Sequence, residues 1–215
     1  MSKKNCFIVS VDGPSAAGKG TIARKLAQKL GFSYLDTGLM YRILGFHAIR
    51  LGISFEDEDA LLSLSKSLDY ESYNEELSSE EVGNAASAVA QIGPIREVLN
   101  EFQKSFPIGK SGVVIDGRDI GSVVFPNADC KLYISASVEV RAKRRFEQAK
   151  RDMKNVTIES IKDQLQKRDE RDMLRSVSPL VIPEGAFLID TSSMTVEESC
   201  NLAYEKVLSC MENTH

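Results

Sequence analysis

Apolar residues are distributed along this chain in two alternating textures. Short runs at residues 7–11 (Phe-Ile-Val-Ser-Val), 33–35, 113–116, 131–134 and 187–190 are bounded by polar or turn-forming residues, the pattern of strands buried on both faces. Between them the spacing changes to three and four. Residues 19–30 place Ile22, Ala23, Leu26, Ala27 and Leu30 on one helical face and stop at Gly31, a helix followed by its usual terminator. Asp36 or Thr37 can cap a second helix that carries Tyr41 and Arg42 and runs to about Leu51. From 53 to about 91 the pattern is acidic and helical with no strand signal, and Gly93-Pro94 breaks it before a helix carrying Arg96, Leu99 and Gln103. Thr195 and Glu198 have capping-box spacing at the start of a closing helix. Strands alternating with helices predict an α/β fold, a parallel sheet covered on both faces.

Length and composition narrow this further. With 215 residues and 42% apolar content, the chain can bury one sizeable core, and two independent domains would be a tight fit. The apolar runs are far short of the roughly 20 residues that cross a bilayer, and the apolar stretch behind the basic start ends at Asp12, too soon for a signal peptide. A cytoplasmic protein without membrane contact is expected. Cys6, Cys130, Cys200 and Cys210 form no CxxC pair, and the histidines are His47 and His215 alone. A disulfide framework, a zinc cluster and a histidine-based triad are therefore not expected. The net charge of −4 is uneven: residues 54–81 hold ten acidic residues against Lys66, whereas 141–175 hold twelve basic and seven acidic ones. The second segment would attract phosphate.

Chemistry enters at the first strand–helix junction. Gly13-Pro14-Ser15-Ala16-Ala17-Gly18-Lys19-Gly20-Thr21 fits G-x-x-x-x-G-K between a buried strand and a helix N-terminus, where backbone N–H groups and the helix dipole can hold phosphates and Lys19 can reach the β- and γ-oxygens. The position after Lys19, commonly Ser or Thr for Mg²⁺, is Gly20, with Thr21 next. The D-x-x-G and N-K-x-D elements of a GTPase switch are missing. A second constellation, Arg168, Asp172 and Arg175, is spaced i, i+4 and i+7, one stripe of a helix with Arg171 close by. That stripe is either a surface ion-pair ladder or a ligand site.

The phosphate loop, Leu35-Asp36-Thr37-Gly38 with Tyr41-Arg42, Asn84-Ala85-Ala86-Ser87, Asp116-Gly117-Arg118-Asp119-Ile120-Gly121 and Arg168-Asp169-Glu170-Arg171-Asp172 with Arg175 together resemble the bacterial cytidylate kinases, in that family's order and over nearly the whole chain. The resemblance implies a P-loop NTPase three-layer fold with a five-stranded parallel sheet, and transfer of the ATP γ-phosphate to CMP or dCMP. The core would span about 1–52, 94–143 and 157–215, with a monophosphate-binding insert at about 53–93 and a lid at about 144–156. Lys19, Arg42 and Arg118 would be catalytic, the last two on the acceptor's phosphate. Thr37, Arg96, Asp119 and Arg175 would read the cytosine, and Ser87, Arg168 and Asp172 would contact the sugar. Arg141, Arg144 and Arg145 are candidates for the lid, or are solvated helix charges. Mg²⁺ would arrive with ATP near Thr21, and a monomer that binds no nucleic-acid polymer is expected.

The chemistry suits a chain so poor in histidine. A phosphomonoester is mostly doubly ionised near neutral pH, so its attacking oxygen needs no general base, and catalysis falls to positioning and charge neutralisation. Two departures from the family are visible. The insert is abridged, since residues 68–79 are too few for several strands, and Thr37 replaces the commoner Ser. Two rivals remain: a P-loop kinase for another acceptor such as UMP or AMP, and a nucleotide-sensing ATPase that uses its acidic segment to bind a protein.

Overall fold

In the computed structural model, which describes residues 6–70, 77, 79–149 and 157–213, the strands are β1 (Phe7–Asp12), β2 (Ser33–Asp36), β3 (Gly112–Asp116), β4 (Cys130–Ser135) and β5 (Phe187–Asp190). They form one all-parallel sheet in the order β2-β3-β1-β4-β5. Parallel pairing requires crossovers, and helices supply them: α1 (Lys19–Leu30) joins β1 to β2, and α2 (Thr37–Leu51), α3 (Glu58–Ser67), α4 (Glu80–Val89) and α5 (Gly93–Ser105) lie between β2 and β3. A π-helical turn, Ile120–Val124, precedes β4. Then come α6 (Val138–Ala149), α7 (Ile158–Leu174), β5 and α8 (Val196–Asn213).

The alternation of side chains along β1 divides the core. Val9 and Val11 join Val114, Leu132, Ile134 and Ile189 beneath Ile22, Leu26 and Ala27 of α1 and Ala203 and Val207 of α8. On the other face, Val113 and Ile115 of β3 pack with Ile120 and Val124 of the π-helical turn. Away from the sheet, Leu44, Leu61, Val89, Ile95 and Leu99 draw α2, α3, α4 and α5 around a separate cluster. At its centre, a Cβ on Gly45 of α2 would lie 2.8 Å from the Ala85 Cβ of α4, so only glycine permits this approach. The helix caps expected at Asp36 and Thr195 form: Asp36 accepts from Leu39 N–H, and Thr195 and Glu198 bond reciprocally. Part of the expected insert (71–76 and 78) and of the expected lid (150–156) lies outside the described residues. No helix among the described residues is long and apolar enough to cross a membrane.

Candidate active site

Because β1 is central and its C-terminal end faces the crevice of the sheet, the turn after it is where this fold can hold a nucleotide. The backbone there is one that few sequences tolerate. Gly13 has φ 147° and Gly18 has φ 92°, and a Cβ on Gly13 would fall 2.0 Å from the Ile134 carbonyl oxygen. Ala16, with φ 61°, holds a left-handed conformation that costs an L-residue about 1–2 kcal/mol. The first turn of α1 starts at Lys19 with no side-chain cap, leaving its initial N–H groups for a ligand. The loop opens into a cleft of about 1150 Å³ that Lys19, Thr21, Asp36, Arg42, Asp116, Arg118, Arg144, Arg145 and Arg168 all line.

Cations crowd this cleft. Burial and the Arg118 charge lower Lys19, with Asp116 and Asp36 acting against them. Burial, then Arg145, lowers Arg42, and Arg168 is pushed down to about 9 by burial and then by Arg118. In each case burial is the first cause and a neighbouring arginine the second, and phosphates would offset that crowding of positive charge. Opposite Lys19 stands Asp116, raised chiefly by burial and then by the Asp36 charge, with Tyr34 Oη donating to its Oδ2 at 3.1 Å. Gly20 has a role here: a Cβ on it would lie 3.0 Å from that Oδ2, so the missing side chain makes room for the carboxylate.

Behind Arg118 lies a buried chain of alternating charge drawn from three parts of the sequence. Arg96 Nη2 meets Asp119 Oδ2 at 2.5 Å, Arg175 Nη2 lies 3.7 Å from Asp119 Oδ1, Arg175 Nη1 is 3.9 Å from Asp172 Oδ1, and Arg118 Nε donates to Asp172 Oδ2 at 2.9 Å. The arginines hold the Asp172 carboxyl below its ordinary range despite burial. Among the described residues, Arg96 Nε, Arg168 Nε and Arg175 Nη2 are buried nitrogens without a hydrogen-bond partner. Orphaned guanidinium donors of this kind are expected where a ligand's acceptors belong. Thr37 sits beside Asp119's loop and donates its hydroxyl proton to the Asp116 carbonyl at 2.7 Å. Its oxygen can therefore only accept from anything else.

Two expectations are corrected. Arg175 is not on the helical face with Arg168 and Asp172: α7 ends at Leu174, and Arg175 is its C-cap with extended ψ (141°). The chain turns back there, Arg175 Nε donating to Ser178 O and Leu180 N–H to Asp172 O, and the side chain reaches Asp119 from the turn. Nor is Arg141 a solvated helix charge. It is 6% exposed, pairs with Asp169 at 2.6 Å and donates to Ala136 O and Ser15 O, a brace between α6, α7 and the phosphate loop. Arg144 donates to Ala17 O, Thr191 Oγ1 and Thr191 O, and Arg145 lines the cleft. Ser87 on α4 accepts from Arg171 Nη1 at 3.1 Å.

Sequence reasoning passed over Asp12, Asp36 and Asp116 as site residues, although a signal was present: β1, β2, β3 and β5 each end on aspartate. Such strand-end carboxylates sit at the crevice of an open parallel sheet.

A phosphate loop at the end of a central parallel strand, facing a cationic cleft and a second buried polar pocket, defines a P-loop phosphotransferase. Comparison with known proteins makes this particular. The family model for cytidylate kinase matches residues 9–209. The cytidylate kinase of Caldanaerobacter subterraneus subsp. tengcongensis is 42% identical over 93% of this chain and 93% of its own length, and that of Vibrio cholerae is 41% identical over 94% and 96%. The chain belongs to the cytidylate kinase family. Among solved structures, a gluconokinase from Sinorhizobium meliloti (12% identity, TM-score 0.54, 99% of this chain and 97% of that one) and the shikimate kinase of Acinetobacter baumannii (17% identity, TM-score 0.50, 96% and 95%) share its fold.

Proposed function

We propose that this kinase transfers the γ-phosphate of ATP to CMP or dCMP, giving ADP and CDP or dCDP, with the roles of its site residues as follows. The observation that carries the acceptor is the polarity of the buried pocket. Cytosine offers an exocyclic amino donor beside a ring-nitrogen acceptor, with a carbonyl acceptor beyond it, whereas uracil places a carbonyl where that amino group stands. Asp119 and the acceptor-only oxygen of Thr37 suit the amino group, and the unpaired nitrogens of Arg96 and Arg175 suit the acceptors. Arg168, Asp172 and Ser87 lie toward the sugar, and Arg42 and Arg118 toward the acceptor's phosphate.

The donor lies on residues 13–21. One oxygen of the acceptor phosphate forms a bond to the γ-phosphorus as the bridge to the β-phosphate breaks, and ADP leaves with that bridging oxygen. No proton moves to or from the protein. Lys19, Arg42 and Arg118 supply positive charge and alignment. Mg²⁺ fits beside the loop, where Asp36 and Asp116 end adjacent strands and Thr21 offers a hydroxyl; with one or two carboxylates and nucleotide oxygens it would be held in its usual manner. When bound, it neutralises charge on the β- and γ-oxygens. Residues 144–156 act as a lid, and 53–93 as the acceptor-binding insert. One chain furnishes both subsites, which supports a monomer acting on free nucleotides rather than on polymer.

ADP formation with CMP, dCMP, UMP, AMP and GMP as acceptors tests the proposal. CMP or dCMP is expected to give the highest turnover, and faster reaction with AMP or GMP would refute it.

A further inference from the structure

One buried carboxylate has no part in this scheme. Asp12 ends β1, is 0% exposed and immediately precedes Gly13 of the phosphate loop. By the alternation of β1 it lies on the face away from Val9 and Val11, toward the π-helical turn. There its Oδ1 accepts from Ile120 N–H at 2.8 Å and its Oδ2 from Gly121 N–H at 2.7 Å. These are the first two donors of the turn whose N-cap is Asp119, with Arg118 just before it. Initial N–H groups of a helical turn have no partner within it, and a carboxylate accepting two of them makes charge-assisted bonds.

The arrangement is costly, which argues for a purpose. Burial, together with the Asp119 charge, pushes Asp12 up to about 7 against the pull of both N–H groups and Lys19. A neutral side chain would be easier to bury. Independent contacts regulate the same approach. Gly117 N–H donates to Val11 O at 3.0 Å, and a Cβ on Gly121 would lie 2.6 Å from Ser10 Oγ and 3.2 Å from Asp12 Oδ2. The turn is therefore drawn against β1 to a distance that only glycine allows.

We propose that Asp12 is a positioning residue for acceptor recognition: by holding the Ile120 and Gly121 N–H groups, its carboxylate fixes the Arg118-Asp119 pair relative to the start of the phosphate loop. It acts through backbone and contacts neither nucleotide. The inference rests on the reading of Arg118 and Asp119 as acceptor contacts.

Asp12→Asn keeps the shape but has one acceptor oxygen and turns an amide N–H toward a backbone donor. Steady-state kinetics, with CMP or UMP varied at saturating ATP and ATP varied at saturating CMP, should show the KM for CMP raised about tenfold and the CMP-over-UMP ratio of kcat/KM lowered by a similar factor, as expected for loss of one charge-assisted hydrogen bond. The KM for ATP should change far less. Gly121→Ala pushes the same turn away from Asp12 while leaving the Asp12 and phosphate-loop residues unsubstituted, and should reproduce this split; should Asp12→Asn fail to fold, Gly121→Ala decides the matter. The proposal is overturned if the KM values for ATP and CMP rise together with the CMP-over-UMP ratio unchanged, or if only the Tm falls while the kinetics hold. A wild-type preference for another acceptor would overturn the cytosine reading alone, and Asp12 is then judged by the KM split for that acceptor.

Discussion

Three arginines, Arg96, Arg168 and Arg175, each bury a nitrogen that no hydrogen bond satisfies, and a buried unpaired donor costs about 1–3 kcal/mol. In the proposed reading that cost is recovered when a nucleotide's acceptors arrive, and part of the affinity for it is held in these groups. If Asp119 accepts from a cytosine amino group, Asp119→Asn should lower the CMP-over-UMP ratio of kcat/KM by about tenfold or more, the ~1–3 kcal/mol that such a contact discriminates. Equal losses for both acceptors would remove Asp119 from base reading. Asp116 yields a prediction of different kind. Its carboxyl is raised by burial and the Asp36 charge, so the folded chain keeps this proton to higher pH than the unfolded chain does. Folding stability from this group is therefore lost as pH rises above the ordinary carboxylate range. Without nucleotide, Asp116→Asn should melt above wild type at about pH 8, and the difference should shrink toward about pH 3, below the ordinary carboxylate range, where both states hold the proton. Lys19 was singled out by the fixed spacing of its motif, and Arg42, Arg96 and Arg118 by the family resemblance. Asp12 and Asp116 were not, because the face a strand-end carboxylate takes depends on register: Asp116 pairs with Val11 across the ladder and faces Gly20, whereas Asp12 pairs with Tyr133 and faces Gly121.

Elements were legible where hydrophobic period and terminators agreed, as in β1, α1 and α2. The end of α7 was not, since charge spacing continues through Arg175 while the backbone turns, and nothing in i, i+4, i+7 spacing records a C-cap. The same limit applied to α6. Arg141, Arg144 and Arg145 are nearly adjacent in sequence, yet Arg141 is spent on Asp169 and Ser15 O, and Arg144 on Ala17 O and Thr191. Both tie α6 to the rim of the phosphate loop. Hydrogen exchange should slow across residues 145–156 when an ATP analogue binds, while the amides around Arg141 should change little. Unchanged exchange over 145–156 would remove the lid.

For the whole molecule, alternation of strands and helices predicted a parallel sheet, and its order, β2-β3-β1-β4-β5, explains why residues distant in sequence meet. With β1 between β3 and β4, the loops after β1 and β3 lie side by side and are joined through Asp12; in the proposed reading the first serves the donor and the second the acceptor. Helices α2, α4, α5 and α7 carry Arg42, Ser87, Arg96 and Arg168, the residues proposed for the acceptor. That order could not be read from the sequence, because nothing local in a strand specifies its neighbour. The central claim, phosphate moved between nucleotides on one chain, is tested most directly by following the label from ATP carrying a radioactive γ-phosphate in the presence of CMP. The label is expected in the β-phosphate of CDP, with loss of that product in Lys19→Ala. Release of the label as inorganic phosphate at a rate independent of CMP would contradict the account.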